Sequence, residues 1–161
     1  MESSKSLLKW MKNVVKMSKN KDIDKYSKTR SWDDIAADYI IIPTPHMKQY
    51  FDAVKIDKER WIGHTIEGDS TGGGHSELIG KLHEVIHTVS TPNVVFRGQR
   101  RGVDEYIFYG DSEHNNEWKI PPYMKVIVRD INRERLSEFV TAYREGIMRG
   151  DKDIVYIKCK I

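Results

Sequence analysis

The chain predicts an α+β fold, N-terminal helices followed by an antiparallel sheet of four to five strands. Three observations carry this. Apolar residues recur at helical spacing in several stretches before Ser90. Pro92 then stops the helical pattern, and the runs beyond it are rich in Val, Ile, Tyr and Phe, bounded by Gly, Pro and Asp. Finally, 161 residues with 39% apolar and 32% charged side chains suit one domain with a moderate core.

"SKSLLKWMKNVVKMSK" opens the chain as an amphipathic helix, with Leu7, Leu8, Met11, Val14 and Val15 on one side and lysines between them. "NKDIDKYSKTR" is a polar linker. "SWDDIAADYI" reads as a short helix capped by Ser31, with Asp33 and Asp34 in its first turn. Pro43 and Pro45 break the chain. A short helix follows over His46–Val54, and another runs from Asp57 through "KERWIGHTI". "EGDSTGGG" is a loop. His75 to Ser90 is expected to be a longer helix. Beyond it, "NVVFRG" and "DEYIFYG" form two strands joined by "QRRGV". "YMKVIVRDI", "SEFVTAY" and "DIVYIKCKI" add three more.

Charge is unevenly placed. Residues 1–30 carry nine Lys and Arg against three Asp and Glu, a net +6, while the remaining 131 carry eighteen against twenty-one, a net −3. The basic character is therefore an N-terminal feature, suited to nucleic acid, a membrane surface or an acidic partner, or simply to a solvated helix and tail. No run of eighteen apolar residues is present, so no transmembrane helix and no membrane partner are expected. No apolar signal region opens the chain either, and a cytoplasmic location is expected. Cys159, the one cysteine, excludes an internal disulfide and a cysteine zinc cluster.

"LHEVIH" contains His-Glu-x-x-His, a zinc-hydrolase pattern when both histidines share a helix face. With Leu78 taken as zero, the apolar stripe of Leu78, Ile79, Leu82, Val85, Ile86 and Val89 centres near about 40°, while His83 falls near about 140° and His87 near about 180°. The two histidines point away from the stripe, and no third ligand follows on a second helix. No metal is therefore expected at His83, Glu84 and His87. His75 falls near about 60° on the same wheel, at the helix N-terminus and after three glycines. That position suits a group close to an anion.

"DKERWIGHTI" followed by "GHSELIGKLHEVIHTVSTPNVVFRG", with "EFVTAY" later, resembles a pattern of small nuclease-like domains of phages and mobile elements. Those domains belong to the superfamily that groups barnase, EndoU, colicin tRNases and RelE toxins. The resemblance covers Asp57 to Ile157. Ser76 stands where that pattern usually has proline, and the loop between His64 and His75 is longer. The domain division expected is a basic amphipathic helix and linker over 1–30 and a nuclease-like α+β domain over 31–161.

The resemblance implies a toxin-like endoribonuclease needing no metal and no cofactor, in which the 2′-hydroxyl attacks the adjacent phosphate to give a 2′,3′-cyclic phosphate. It implies an RNA substrate, tRNA among the candidates, and a cognate inhibitor protein as a further partner. Such chemistry needs a base, an acid and positive charge on the phosphorane. His75 and His64 are candidates for the proton transfers. Arg97, at the end of "NVVFR", is the candidate phosphate ligand. Arg100 and Arg101, in the turn, suit the RNA backbone. Strand alternation places Phe139, Thr141 and Tyr143 on one face, with Thr141 a donor to phosphate and Tyr143 a proton donor or base-stacking ring.

Three rival readings differ in chemistry. One is a zinc metallopeptidase through His83, Glu84 and His87. Another is an ADP-ribosyltransferase, for which "VVFRG" is an arginine-bearing strand but a downstream Glu-x-Glu is missing. The third is a non-catalytic RNA- or protein-binding module on the same fold.

Overall fold

The computed structural model describes residues 29–67, 75–111, 122–147 and 153–158. The expected N-terminal helix, nearly all of the linker, the glycine triplet and Cys159 lie outside the described residues.

The fold is mostly sheet. Among the described residues, seven strands form one mixed sheet, in the order β1-β2-β6-β5-β4-β3-β7. They are β1 (Tyr39–Pro43), β2 (Ala53–Asp57), β3 (Val94–Arg100), β4 (Val103–Asp111), β5 (Tyr123–Asp130), β6 (Leu136–Glu145) and β7 (Asp153–Ile157). Two short α-helices accompany them among the described residues, α1 (Lys58–Ile62) and α2 (Leu82–Ser90). This corrects the expected helices-then-antiparallel-sheet layout in two ways. Among the described residues β1 and β2 come before α1 and α2, and β2 pairs with β6 in parallel over Ala53–Lys55 and Leu136–Glu138.

The physical reason lies in "DYIIIP" and "FDAVKID". Each is a short apolar run, which periodicity alone cannot assign to helix or strand. Ile40 and Ile42 enter the main core, while Ile41 packs on Ala53 and Leu136 across the sheet. A strand buried on both faces loses its alternation and reads as a continuous apolar run. The expected helices there shrink to 3-10 turns at Trp32–Asp34 and Pro45–Met47. Ser31 does cap the first, its hydroxyl accepting from the Asp33 N–H.

The expected helix over 75–90 is also interrupted. A 3-10 turn at Ser76–Leu78 is followed by Gly80 at φ 77°, a left-handed conformation that ends a helix before α2 begins. From α2, Leu82, Val85, Ile86 and Val89 enter the core, each contributing about 1.5–3 kcal/mol by burial. A Cβ on Gly110 of β4 would lie 3.0 Å from the Thr88 hydroxyl, so glycine permits this close packing of α2 on the sheet.

β3 to β6 form an antiparallel meander, and β7 returns to pair with β3. The helices cover one face, called here the helix face, with Val95, Tyr106, Phe108, Val126, Val128 and Phe139 beneath them. Phe96, Ile107 and Tyr109 form a smaller cluster on the opposite face. No described helix is long and apolar enough to cross a membrane.

Candidate active site

The site begins with a defect in β6. Val128 pairs with Phe139, yet Ile127 pairs with Thr141, so Val140 is an extra residue with no counterpart on β5. Such a bulge shifts the alternation. Phe139 faces the helices, whereas Thr141, Tyr143 and Glu145 share the opposite face with Ile127, Lys125 and Tyr123. The expectation that Phe139, Thr141 and Tyr143 share one face is corrected by that single residue.

The parallel pairing of β2 with β6 ends at Glu138. Beyond it, the outer edge of β6 meets α1 and the turn after it. Trp61 packs on Phe139, ring centroids 5.8 Å apart. The chain then makes a π-helical turn over Gly63–Glu67, with the Thr65 hydroxyl donating to the Trp61 carbonyl at 2.9 Å. Wide turns of this kind re-aim side chains and are frequent at functional sites. Here the turn aims His64 at the strand edge. Its Nε2 lies 2.9 Å from the Ala142 carbonyl and 3.2 Å from the Ala142 N–H, so either tautomer finds a backbone partner. The Thr141 hydroxyl is 3.3 Å from the same nitrogen. His64 is 1% exposed.

His75 lies directly over it. The backbone N–H of His75 donates to the His64 carbonyl at 2.9 Å, and the two rings stack with centroids 4.5 Å apart. On its other side His75 stacks with Tyr143, centroids 5.9 Å apart and planes within 18°. Its Nδ1 is 3.1 Å from Glu77 Oε1. With Nδ1–H donating to the carboxylate, Nε2 carries the lone pair, the arrangement that orients a histidine base. Unlike His64, His75 is half-buried and reachable.

Lys125 completes the group. It is buried on β5, directly opposite Tyr143. Its Nζ is 5.0 Å from the Tyr143 ring centroid and donates to Glu145 Oε1 at 3.3 Å. Glu145 Oε2 accepts from the Tyr109 hydroxyl at 2.9 Å. Burial alone would lower the Lys125 pKa, but the hydrogen bond to Tyr143 and the neighbouring Tyr143, Tyr109 and Glu145 outweigh it and hold it above the usual lysine value.

The arrangement therefore places a base-competent imidazole, a phenol and a fixed ammonium in a row from the free edge of β6 inward to β5. That set can move protons and hold an anion.

No protein-family model, curated protein or solved structure matches the chain.

His64, His75, Thr141 and Tyr143 thus come together, while Arg97 does not. It projects from β3 on the helix face, its guanidinium 5.2 Å from the Tyr50 ring centroid and 4.0 Å from Asp153. Three strand spacings, about 14 Å, separate β3 from β6. Arg100 and Arg101 are exposed at the β3–β4 turn, away from the histidines. Lys125 escaped sequence reasoning. Its only signal is a lone cation amid the apolar alternation of "YMKVIV".

The His-Glu-x-x-His stretch has another use. Glu84 is 5% exposed and its Oε2 accepts from Arg144 of β6 at 2.8 Å. His87 is exposed, its Nδ1 3.1 Å from the Thr91 hydroxyl. Among the described residues, no three His, Cys, Asp or Glu side chains gather in a metal-binding group.

Proposed function

We propose that the chain is a metal-independent, toxin-like endoribonuclease of the mobile-element type, cleaving RNA through a 2′,3′-cyclic phosphate. One observation carries this reading: reachable His75 stacks between buried His64 and Tyr143, with Lys125 Nζ 5.0 Å from the Tyr143 ring centroid.

His75 Nε2 takes the proton of the attacking 2′-hydroxyl, while Glu77 holds the ring through Nδ1. Tyr143 delivers a proton to the departing 5′-oxygen. Lys125 sets positive charge beside the phosphorane, the role first expected of Arg97. His64, at 1% exposure, is a positioning residue that fixes the plane of His75 and closes the free edge of β6. Thr141 holds His64 and does not meet the phosphate. Arg100 and Arg101 contact the RNA backbone. The segment over 1–30, with its net +6 charge, adds affinity for RNA. A tRNA substrate, a cognate inhibitor protein and a cytoplasmic site of action fit this role.

The test is incubation of the purified full chain with total RNA, with and without EDTA, followed by analysis of the new 3′ ends. The reading requires cleavage unaffected by EDTA and leaving cyclic phosphates. Cleavage abolished by EDTA, 3′-hydroxyl ends, or intact RNA would each overturn it.

A further inference from the structure

β7 ends the sheet, and no described strand pairs with its outer edge. Such an edge is a template for another strand unless it is blunted. Instead it carries exposed apolar side chains. Ile154 and Ile157 are 55% and 59% exposed.

Their placement depends on a second bulge. Val95 pairs with Tyr156 and Phe96 with Ile154, which leaves Val155 as the extra residue. Strict alternation would put Ile154 and Ile157 on opposite faces. The bulge puts both on one face, since Ile157 lies opposite Val94 and Ile154 opposite Phe96, two members of the same apolar cluster. Asp153, opposite Arg97, and Tyr156, opposite Val95, lie on the helix face. Lys158, next after Ile157, alternates to the helix face as well.

The segment "DIVYIK" is consequently self-complementary when two copies run antiparallel. Pairing about the midpoint of Val155 and Tyr156 sets Ile154 opposite Ile157 of the second copy and Asp153 opposite Lys158 of the second copy. Each pair shares a face, as directly opposed residues must. Each pair also occurs twice, as an isologous two-fold contact demands. The four isoleucines form one apolar strip, and an ion pair closes each end. Asp153 has a side chain 82% exposed, held only by a 4.0 Å contact with Arg97, and can reach across.

We propose that β7 is a homodimer interface, in which two copies of this chain join edge to edge through antiparallel β7 strands into one continuous sheet. The contact spans six residues per copy, Asp153 to Lys158, which places it among small, reversible interfaces. β7 lies at the opposite end of the sheet from β1 and four strands beyond β6, so pairing leaves the His75 site open.

The test is sedimentation equilibrium of the full chain from micromolar to millimolar concentration. The wild type should pass from monomer to dimer mass across that range. Lys158→Asp sets two aspartates against each other at both ends and should weaken dimerisation at least tenfold. Asp153→Lys should do the same. The double swap Asp153→Lys/Lys158→Asp should restore it, a rescue that only the antiparallel register predicts. Ile154→Lys should hold the protein monomeric with an unchanged circular dichroism spectrum. A wild type that stays monomeric throughout overturns the proposal. So does a dimer that ignores Ile154→Lys, or a double swap that fails to rescue.

Discussion

Glu84 and Arg144 meet at 2.8 Å with side chains only 5% and 12% exposed, joining α2 to β6 through the body of the core. Removing one partner of a buried pair strands the other charge. Glu84→Ala should therefore lower unfolding free energy by about 3–5 kcal/mol, read as a shifted urea midpoint. A double change to Leu at Glu84 and Met at Arg144 should recover most of that loss. A metallopeptidase base would behave differently, since its removal would cost activity and spare stability.

His75 and His87 separate the two readings of the histidine-rich stretch. His75→Ala should reduce RNA cleavage by about 10²–10⁴ with little change in melting temperature. His87→Ala, at an exposed position bonded to Thr91, should match the wild type in both. His64→Ala should lose stability and activity together, because its ring is buried and seals the strand edge. Normal cleavage by His75→Ala would remove the basis of the ribonuclease reading.

Lys125 links the proposed cleavage to alkaline stability. Its folded pKa is raised above the usual 10.5. A raised pKa adds stability that is fully present below the unfolded value and lost as pH rises through the folded one. Tyr106, raised by burial and by Asp104 and Asp130, loses stability on the same alkaline limb, starting at its usual 10.0. Urea midpoints should fall above pH 10 in the wild type, and less steeply in both Lys125→Met and Tyr106→Phe. Only Lys125→Met should also slow cleavage, by about 10²–10³.

His46 governs the acid limb. It sits against Tyr156, centroids 4.8 Å apart, with Nε2 buried and without a hydrogen-bond partner. Burial lowers its pKa from 6.5 to about 4. The fold favours the neutral ring, so stability should decline as pH falls from 6.5 to about 4 and level off below. His46→Phe keeps the ring contact and should flatten that limb in a pH series of thermal melts.

Arg101 holds φ 55° beside Gly102 at φ 78°, the two central residues of the hairpin between β3 and β4. Asn is favoured at the first position of such a turn, so Arg101→Asn should stabilise by about 0.5–1 kcal/mol. If Arg101 touches a phosphate, the same change should weaken RNA binding at all sequences and reduce the salt slope by about 1.

Much of the sheet was legible from residue type. The stretches containing β3 to β7 are rich in β-branched and aromatic residues, and the structure has strands at all five. β1 and β2 were not legible, because "IIIP" and "AVKID" are too short to show a period and are buried on both faces. The break at Gly80 was hidden in an otherwise apolar helical pattern. Around the site, His75 could be singled out by its place at a turn after glycines. Lys125 could not, since its value comes from facing Tyr143 and Glu145 on a neighbouring strand. Arg97 was misplaced because strand position alone does not tell which face points at the histidines.

Val140 divides β6 into two reading frames. Ahead of it, Phe139 belongs to the core; beyond it, Thr141, Tyr143 and Glu145 are carried to the other side as a block. Deleting this one residue would return the strand to a single frame. Thr141 and Tyr143 would keep Ile127 and Lys125 as partners and stay on the same face, because the residue removed pairs with nothing on β5. What the site cannot survive is a slip that takes Val140 into the ladder opposite Ile127, since that would turn Thr141, Tyr143 and Glu145 to the helix face together without changing one of their side chains.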